Sequence, residues 1–269
     1  PYVDLKNAIK ITKEPASDKL ALKAAQESIV LLKNDKLLPL SKTRYKKIAV
    51  IGPCAKYVSF GGYAGEPYHK VTLYDGIREK IGSKTEVLYA EGCKITTNPT
   101  IPYFNWKLDD IKFPTKEENM KLISQAVNVA KKAEVIILAI GENEHLCREA
   151  WAKTHIGDNM TLDLFGQQED LVRKIVALGK PVVVYLMNGR PLSINYIAEN
   201  VPAIIEGWYM GQQTGAAAAD IIFGDVNPSG KLTITFPKSA GQIPMFYNFK
   251  PSAQANEYIC LLYTSDAAD

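Results

Sequence analysis

The segment at residues 135–140 constrains the fold more than any other part of the sequence. It reads VIILAI, a run of six apolar residues that Gly141 ends. Six residues are too few for an ordinary helix, and the β-branched side chains favour a strand that is buried on both faces. Because such strands occur in parallel sheets with helices on both sides, the segment predicts an α/β domain.

A long polar loop follows this strand and leads to a helix that is predicted to begin near Gln167. The loop combines five carboxylates with two histidines, an arginine and a tryptophan: Glu142, Glu144, Glu149, Asp158, Asp163, His145, His155, Arg148 and Trp151. In an α/β sheet, ligands bind at the carboxyl ends of the strands. Long loops in compact domains are uncommon and usually functional, so we expect the ligand site here.

The rest of the chain alternates short apolar strands with amphipathic helices. Strands are predicted near residues 48, 87, 137, 184, 204 and 234. Helices are predicted at 19–34, 73–81, 117–132, 167–178, 192–199 and 216–223. This alternation predicts a three-layer α/β sandwich with a mostly parallel six-stranded sheet. The segment LTITF at 232–236 is typical of a one-sided strand, so we expect it to be an antiparallel edge strand.

Charge and cysteine patterns exclude several classes of partner. The 32 basic and 29 acidic residues are interspersed, so the net charge of +3 creates no basic face for nucleic acid. No apolar run approaches the roughly 20 residues that a membrane-spanning helix needs. The four cysteines show neither CxxC spacing nor histidines at zinc-site intervals. We therefore expect no nucleic acid, no membrane span, no metal and no cofactor.

A second loop, after the predicted strand near residue 48, carries glycines and tyrosines. Its residues of interest are Gly61, Gly62, Gly65, Tyr57, Tyr63 and Tyr68. The glycine spacing matches neither GxGxxG nor GxxxxGK[ST], the patterns that bind phosphate. Flexible backbone with aromatic rings fits a sugar better, because a sugar ring can lie on a flat apolar face. A plain surface loop is the alternative for any single tyrosine.

The two ends of the chain differ from its middle. Residues 1–15 have a proline at each end and little periodicity, which predicts an extended connector. We accordingly assign 1–16 as a linker and 17–245 as the sandwich domain. Residues 246–259 are predicted to begin a downstream linker. Residues 260–269, CLLYTSDAAD, have no evident relation to what precedes them and are interpreted as a non-native tail.

Five ordered stretches of the sequence share the pattern of one enzyme family. They are AAQESIVLLKN with LPL, KIAVIGP, the strand and GE at 140–142, KPVVVYLMNGRPL, and GWYMGQQTGAAAADIIFGDVNPSGKLTITFP. Together they resemble the C-terminal α/β sandwich domain of glycoside hydrolase family 3, the β-glucosidase and β-xylosidase family. The resemblance covers residues 1–253. It implies a glycoside or oligosaccharide substrate, a catalytic aspartate on a TIM-like barrel that is absent from this chain, and a periplasmic or secreted location.

The resemblance also implies that this domain supplies a general acid/base. Retaining glycosidases need two carboxyl groups ~5 Å apart, one to attack the anomeric carbon and one to protonate the leaving oxygen and then activate water. Glu149, in CREAWA, fits the family's position for the second carboxyl group, since it follows the GE by a short interval. Glu142 and Glu144 are its rivals. For Glu142 the structural alternative is that it bonds loop amides.

Three further residues are candidates for contact with substrate. Tyr63 falls where relatives place an aromatic side chain near the outer sugar subsite. Arg148 is interpreted either as a donor to sugar hydroxyls or as a surface arginine. Trp151 is interpreted either as the floor of a leaving-group subsite or as a packed anchor of the loop.

The predicted function is the acid/base-bearing domain of a retaining exo-β-glycosidase that hydrolyses terminal β-D-glucosyl residues. Three alternatives stay open: a β-xylosidase of the same family, a carbohydrate-binding domain without catalysis, and a nucleotide-binding doubly wound domain. We expect the barrel domain to pack on this one. Because the nucleophile would lie on that barrel, we expect this fragment alone to be inactive.

Overall fold

One sheet of six strands, with helices around it, forms the part of the chain that the structure describes. A computed structural model describes residues 3–61, 64–65, 67–97, 111–150 and 157–246. The helices are α1 (Leu5–Thr12), α2 (Pro15–Ser28), α3 (Leu73–Ile81), α4 (Lys116–Ala130), α5 (Gln168–Val176), α6 (Asn195–Asn200) and α7 (Thr214–Ile222). The strands are β1 (Val30–Asn34), β2 (Lys47–Ile51), β3 (Glu86–Ala90), β4 (Val135–Gly141), β5 (Val182–Met187) and β6 (Ala203–Glu206).

The strand order across the sheet is β1-β6-β5-β4-β2-β3. The pairings β3–β2, β2–β4, β4–β5 and β5–β6 are parallel, and β1 pairs with β6 antiparallel. This confirms the predicted α/β class, the mostly parallel sheet and the antiparallel edge. The apolar segment at 135–140 lies in β4, and all residues of β4 are buried, as expected for an interior strand.

Alternate residues of β4 face two separate apolar layers, which makes the fold a three-layer sandwich. Val135, Ile137 and Ala139 pack with α2, α3 and α7 on one face. Ile136, Leu138 and Ile140 pack with α4, α5 and α6 on the other. Because both faces of the strand are apolar and covered, its sequence is a continuous apolar run instead of an alternating one.

The antiparallel edge strand is not the one that we predicted from alternation. Residues 232–236 form no strand in the structure, whereas residues 30–34, predicted as the end of a helix, form β1. Helix α2 ends at Ser28, and Ile29 already has extended backbone, with φ −69° and ψ 131°. A short continuous apolar run fits either a helix or a strand, and here pairing with β6 decides in favour of the strand.

The expectation of an extended connector at 1–15 is also wrong for the residues that the structure describes. Helix α1 spans Leu5–Thr12, and the Asp4 side chain caps it by accepting from the amides of Lys6 and Asn7. Pro15 begins α2, a position where its missing N–H would have had no partner within the helix. Three large apolar residues of α1, Leu5, Ile9 and Ile11, are exposed. No helix of the described part is long and apolar enough to cross a membrane.

Helices α3 and α7 approach each other so closely that only glycine fits at the contact. A Cβ on Gly76 would overlap the carbonyl group of Gly215, and a Cβ on Gly215 would overlap the carbonyl group of Thr72. Both glycines are buried. The contact therefore places the start of α3, and the loop that precedes it, directly against α7.

Gly76→Ala is expected to lower the free energy of unfolding by about 1–3 kcal/mol, the usual cost of overpacking. Alanine raises helix propensity by up to about 1 kcal/mol, but the overlap is with backbone and cannot be relieved by a side-chain rotation. Gly65→Ala is the control, because its Cβ would have no atom of the described residues within 4 Å. Denaturant unfolding of both variants tests the expectation, and equal midpoints would contradict it.

Candidate functional site

Three loops leave the sheet at the carboxyl ends of neighbouring parallel strands. They follow β2, β4 and β5, which lie side by side in the order β5-β4-β2. We call them the β2 loop (residues 52–72), the β4 loop (142–167) and the β5 loop (188–194). The predicted site lies at this edge of the sheet, where ligands of α/β domains bind.

The β4 loop leaves the sheet in a direction that side-chain contacts set. Gly141 has φ +144°, and a Cβ there would overlap the backbone of Met187 on β5. The side chain of Gln168, at the start of α5, accepts from the Gly141 amide at 2.9 Å and donates to the Gly141 carbonyl at 2.8 Å. Both polar groups of the last β4 residue are therefore bonded, and the loop begins from a rigid point.

Glu142 is fully buried and forms an ion pair with Arg190 of the β5 loop. Its Oε1 lies 2.6 Å from Nη2 and 2.8 Å from Nε of the guanidinium. Burial raises the pKa of Glu142, and the opposing effect of Arg190 is smaller. The structural interpretation of Glu142 predicted bonds to loop amides, whereas the described structure gives it a bond to an arginine.

Glu144 connects the β4 loop to the β2 loop. Its side chain is buried, and its Oε1 accepts from the Phe60 amide at 3.0 Å. Burial raises the pKa of Glu144, while bonds from backbone amides, including that of Gly61, lower it less. The carboxylate thus holds the β2 loop at Phe60 and Gly61.

Glu149 differs from both rivals because it is exposed. The loop around it is nevertheless held in place. Asn159 Nδ2 donates to the carbonyl groups of Leu146 at 2.7 Å and Gly157 at 2.8 Å. A Cβ on Gly157 would overlap the Arg148 carbonyl and lie 2.9 Å from the carbonyl carbon of Glu149. We call residues 142–150 the outgoing arm of the loop and residues 157–167 its returning arm. The returning arm therefore packs on the backbone that carries Glu149.

The remaining predicted site residues divide into two groups. Arg148 is half-buried beside Glu149 and has interactions of its own within the structure. Tyr63 and Trp151 lie outside the described residues, so their roles stay predictions.

Sequence analysis missed a chain of polar residues that joins β6 to the β4 loop. Asn188 Nδ2 donates to Glu206 Oε2 at 3.1 Å and to the Arg190 carbonyl at 2.9 Å. Glu206 Oε1 accepts from the amide of Trp208, a residue with φ +52°. Their positions in the sequence could have identified these residues as part of the site. Asn188 and Glu206 lie at the carboxyl ends of β5 and β6, as Glu142 lies at the carboxyl end of β4.

The described residues offer neither a metal centre nor an activated thiol. No group of three or more His, Cys, Asp or Glu side chains is placed to hold a metal ion among them. Burial and the nearby Glu142 raise the pKa of Cys147 to about 11. Because the thiolate is the nucleophilic form, this protonated thiol is poorly suited to attack a substrate.

The buried Glu206 is expected to make stability fall as pH rises. Burial raises its pKa from 4.5 to about 8. Between these values the folded state holds a proton that the unfolded state has lost, so the free energy of unfolding decreases with pH, by up to about 1.4 kcal/mol per pH unit. Glu206→Gln, which cannot titrate, is expected to show a smaller slope between pH 5 and 8.

Denaturant unfolding at four pH values measures this slope. Some slope should remain in Glu206→Gln, because burial also raises the pKa of Glu142 and Glu144. Glu199→Gln, at an exposed position on α6, is the matched control for replacing a carboxylate by an amide. Identical slopes in the wild type and Glu206→Gln would show that Glu206 does not titrate in this window.

Comparisons with known proteins agree on one family. The chain matches the family model described as "Glycosyl hydrolase family 3 C-terminal domain" over residues 29–267. It is 42% identical over 240 residues to a β-xylosidase of Formosa agariphila, covering 86% of this chain and 30% of that protein. It is 39% identical over 236 residues to a periplasmic β-glucosidase of Salmonella typhimurium, with the same two coverages.

A solved structure shows the same relation. A β-glucosidase from Erythrobacter marinus matches with a TM-score of 0.85 and 38% identity, over 96% of this chain and 34% of that one. The chain spans about 30% of the length of the curated relatives above. From its sequence and its fold alike, the chain belongs to glycoside hydrolase family 3, and the part of the family's architecture that it carries is the C-terminal domain.

Proposed function

We propose that this chain is the acid/base-bearing domain of a retaining exo-β-glycosidase and that Glu149 is the general acid/base. One observation carries the assignment: of the three candidate carboxylates, Glu149 is the exposed one, on a loop whose backbone is held from both sides. A general acid must come within hydrogen-bond distance of the leaving oxygen. The exposure of Glu149 at the carboxyl edge of the sheet supports the proposal, because a leaving oxygen can approach this carboxylate.

The raised pKa values of Glu142 and Glu144 are an argument for the two rivals of Glu149. A general acid with a raised pKa keeps its proton near neutral pH. Geometry takes precedence over pKa, however, and both side chains are buried and bonded to partners within this domain. Neither side chain is free to reach a sugar, so we assign them to loop structure.

The second carboxylate of the mechanism would come from the barrel domain. Retention requires the two carboxyl groups to lie ~5 Å apart, so Glu149 must face that domain across an interface. The exposed apolar residues of α1, Leu5, Ile9 and Ile11, fit a role in the same interface. On this proposal the chain is inactive alone, because it lacks the nucleophile.

Glu149 would act twice in each turnover. First, the barrel carboxylate attacks C1, the bond from C1 to the leaving oxygen breaks, and Glu149 gives its proton to that oxygen. Second, the ionised Glu149 takes a proton from water while the water oxygen attacks C1 and releases the barrel carboxylate. The product keeps the β configuration because C1 is inverted twice.

The proposed substrate is a glycoside with a terminal β-D-glucosyl residue. A terminal β-xylosyl residue is the second candidate, because the 42% identical relative from Formosa agariphila is named a β-xylosidase. Activity of the full-length enzyme on aryl β-glucoside and aryl β-xyloside distinguishes the two. A full-length wild type that has the barrel and hydrolyses neither would favour a carbohydrate-binding domain.

Glu149→Ala, in the full-length enzyme that contains this chain, is expected to slow hydrolysis of alkyl glycosides by about 10²–10⁴-fold. Dinitrophenyl glycosides should form the glycosyl-enzyme with far less loss, because their leaving group needs no proton. Azide should restore part of the turnover by replacing the activated water. Rates on both substrates, with and without azide, together with identification of glycosyl azide, test both roles.

The control is Asp158→Asn, which alters an exposed carboxylate in the same loop. It should leave the rates within about 3-fold, as expected of a surface change. Equal losses of Glu149→Ala on the two leaving groups would rule out the acid role. Residual turnover in azide without glycosyl azide would rule out the base role.

A further inference from the structure

We propose that Arg190 is a positioning residue that keeps Glu149 in its reactive place. The proposal depends on the proposed role of Glu149. Arg190 comes from the segment NGRP after β5, to which the sequence analysis assigned no role at the site. In the structure its guanidinium contacts both arms of the β4 loop, the outgoing arm at Glu142 and the returning arm at Thr161.

The guanidinium uses different atoms for the two arms. Nε and Nη2 face Glu142 Oε1 at 2.8 and 2.6 Å, and Nη1 donates to the Thr161 carbonyl at 2.8 Å. The planar, rigid fork of arginine makes this double contact possible, whereas the single ammonium of lysine cannot reproduce its geometry. Arg190 therefore sets the separation of the two arms as well as neutralising a charge.

Because this ion pair is buried, removing Arg190 costs more than removing one partner of a surface pair. The Glu142 side chain has no exposed area, and that of Arg190 is 21% exposed. Surface pairs contribute little, but removing one partner of a buried pair leaves an uncompensated charge. Without Arg190, we expect the Glu142 side chain to move towards solvent, where water can hydrogen-bond to it. The outgoing arm of the loop would move with this side chain.

Arg190 is itself held by the sheet. Its carbonyl accepts from Asn188, and Asn188 also bonds the buried Glu206 at the end of β6. Two residues beyond Pro191, the Ser193 amide donates to the Leu162 carbonyl at 2.7 Å, next to a bridge between Ser193 and Asp163. The β5 loop is thus a fixed platform on which the returning arm of the β4 loop lies.

A short path joins this platform to Glu149. The returning arm holds Thr161 and, four residues earlier, Gly157, which packs on the backbone of Arg148 and Glu149. Asn159 between them bonds the Leu146 carbonyl in the outgoing arm. A shift of the arm at Thr161 therefore reaches Glu149 through packed backbone.

The test uses Arg190→Met and Arg190→Lys in the full-length enzyme. A misplacement of about 1 Å typically costs about 10²-fold in rate, so we expect Arg190→Met to lower kcat/KM for alkyl glycosides by about 10–100-fold. Formation of the glycosyl-enzyme from dinitrophenyl glycosides should change by less than about 3-fold, because that step needs no acid. The kcat/KM of Arg190→Lys for alkyl glycosides should lie between those of Arg190→Met and the wild type.

Arg173→Met is the matched control. Arg173 also pairs with a glutamate, Glu169, but both side chains are about half exposed on α5. We expect Arg173→Met to leave the rates on alkyl and on dinitrophenyl glycosides unchanged. Thermal unfolding of each variant reports on stability, and if Arg190→Met does not fold, Arg190→Lys and Glu142→Gln carry the same comparison.

A double-mutant cycle distinguishes positioning from general damage. If Arg190 acts through Glu149, Arg190→Met should have no effect beyond about 2-fold in a Glu149→Ala background. A full additional loss in that background, or equal losses on both leaving groups in the single variant, would overturn the proposal for Arg190. If the rate loss of Glu149→Ala alone did not depend on the leaving group, the acid role of Glu149 itself would be overturned. The Glu149→Ala variant tests that role independently of Arg190.

Discussion

The pairing of β4 with β5 is the constraint on which the rest of the structure depends. Both strands are buried along their whole length, so every backbone polar group in them must be bonded within the protein. At the end of β4 the sheet no longer provides all these bonds, and the Gln168 side chain satisfies the Gly141 amide and carbonyl instead. Because Gly141 also packs on the Met187 backbone, the loops after both strands start from fixed positions.

A layer of buried carboxylates lies on this edge of the sheet. Glu142, Glu144 and Glu206 are each bonded, to Arg190, the Phe60 amide, and Asn188 with the Trp208 amide, respectively. Burial nevertheless raises the pKa of all three, so desolvation outweighs the stabilisation that these partners provide. Their contribution is to link strand ends to loops that would otherwise have few bonds, at a cost in stability that functional sites commonly carry.

The fold could be predicted wherever burial on both sides left a clear pattern. The continuous apolar run of β4 predicted a covered parallel sheet, and the structure confirms it. At 29–34 the apolar run fits the last turns of a helix equally well, and only pairing with β6 makes it a strand. The alternation at 232–236 was misleading because a strand also needs a partner. Gly230, just before it, bonds the Ile29 carbonyl once, and no ladder follows.

The carboxylates of the site could be found from their position after β4, but their environments could not. The partners of Glu142 and Glu144 are 48 and 84 residues away in the sequence, beyond any local pattern. A turn in which the Asn143 carbonyl accepts from the amides of Leu146 and Cys147 reverses the chain just before Glu149. Three glutamates within eight residues therefore differ in burial because of tertiary contacts, and those contacts separate two that brace the loop from the one that we propose reacts.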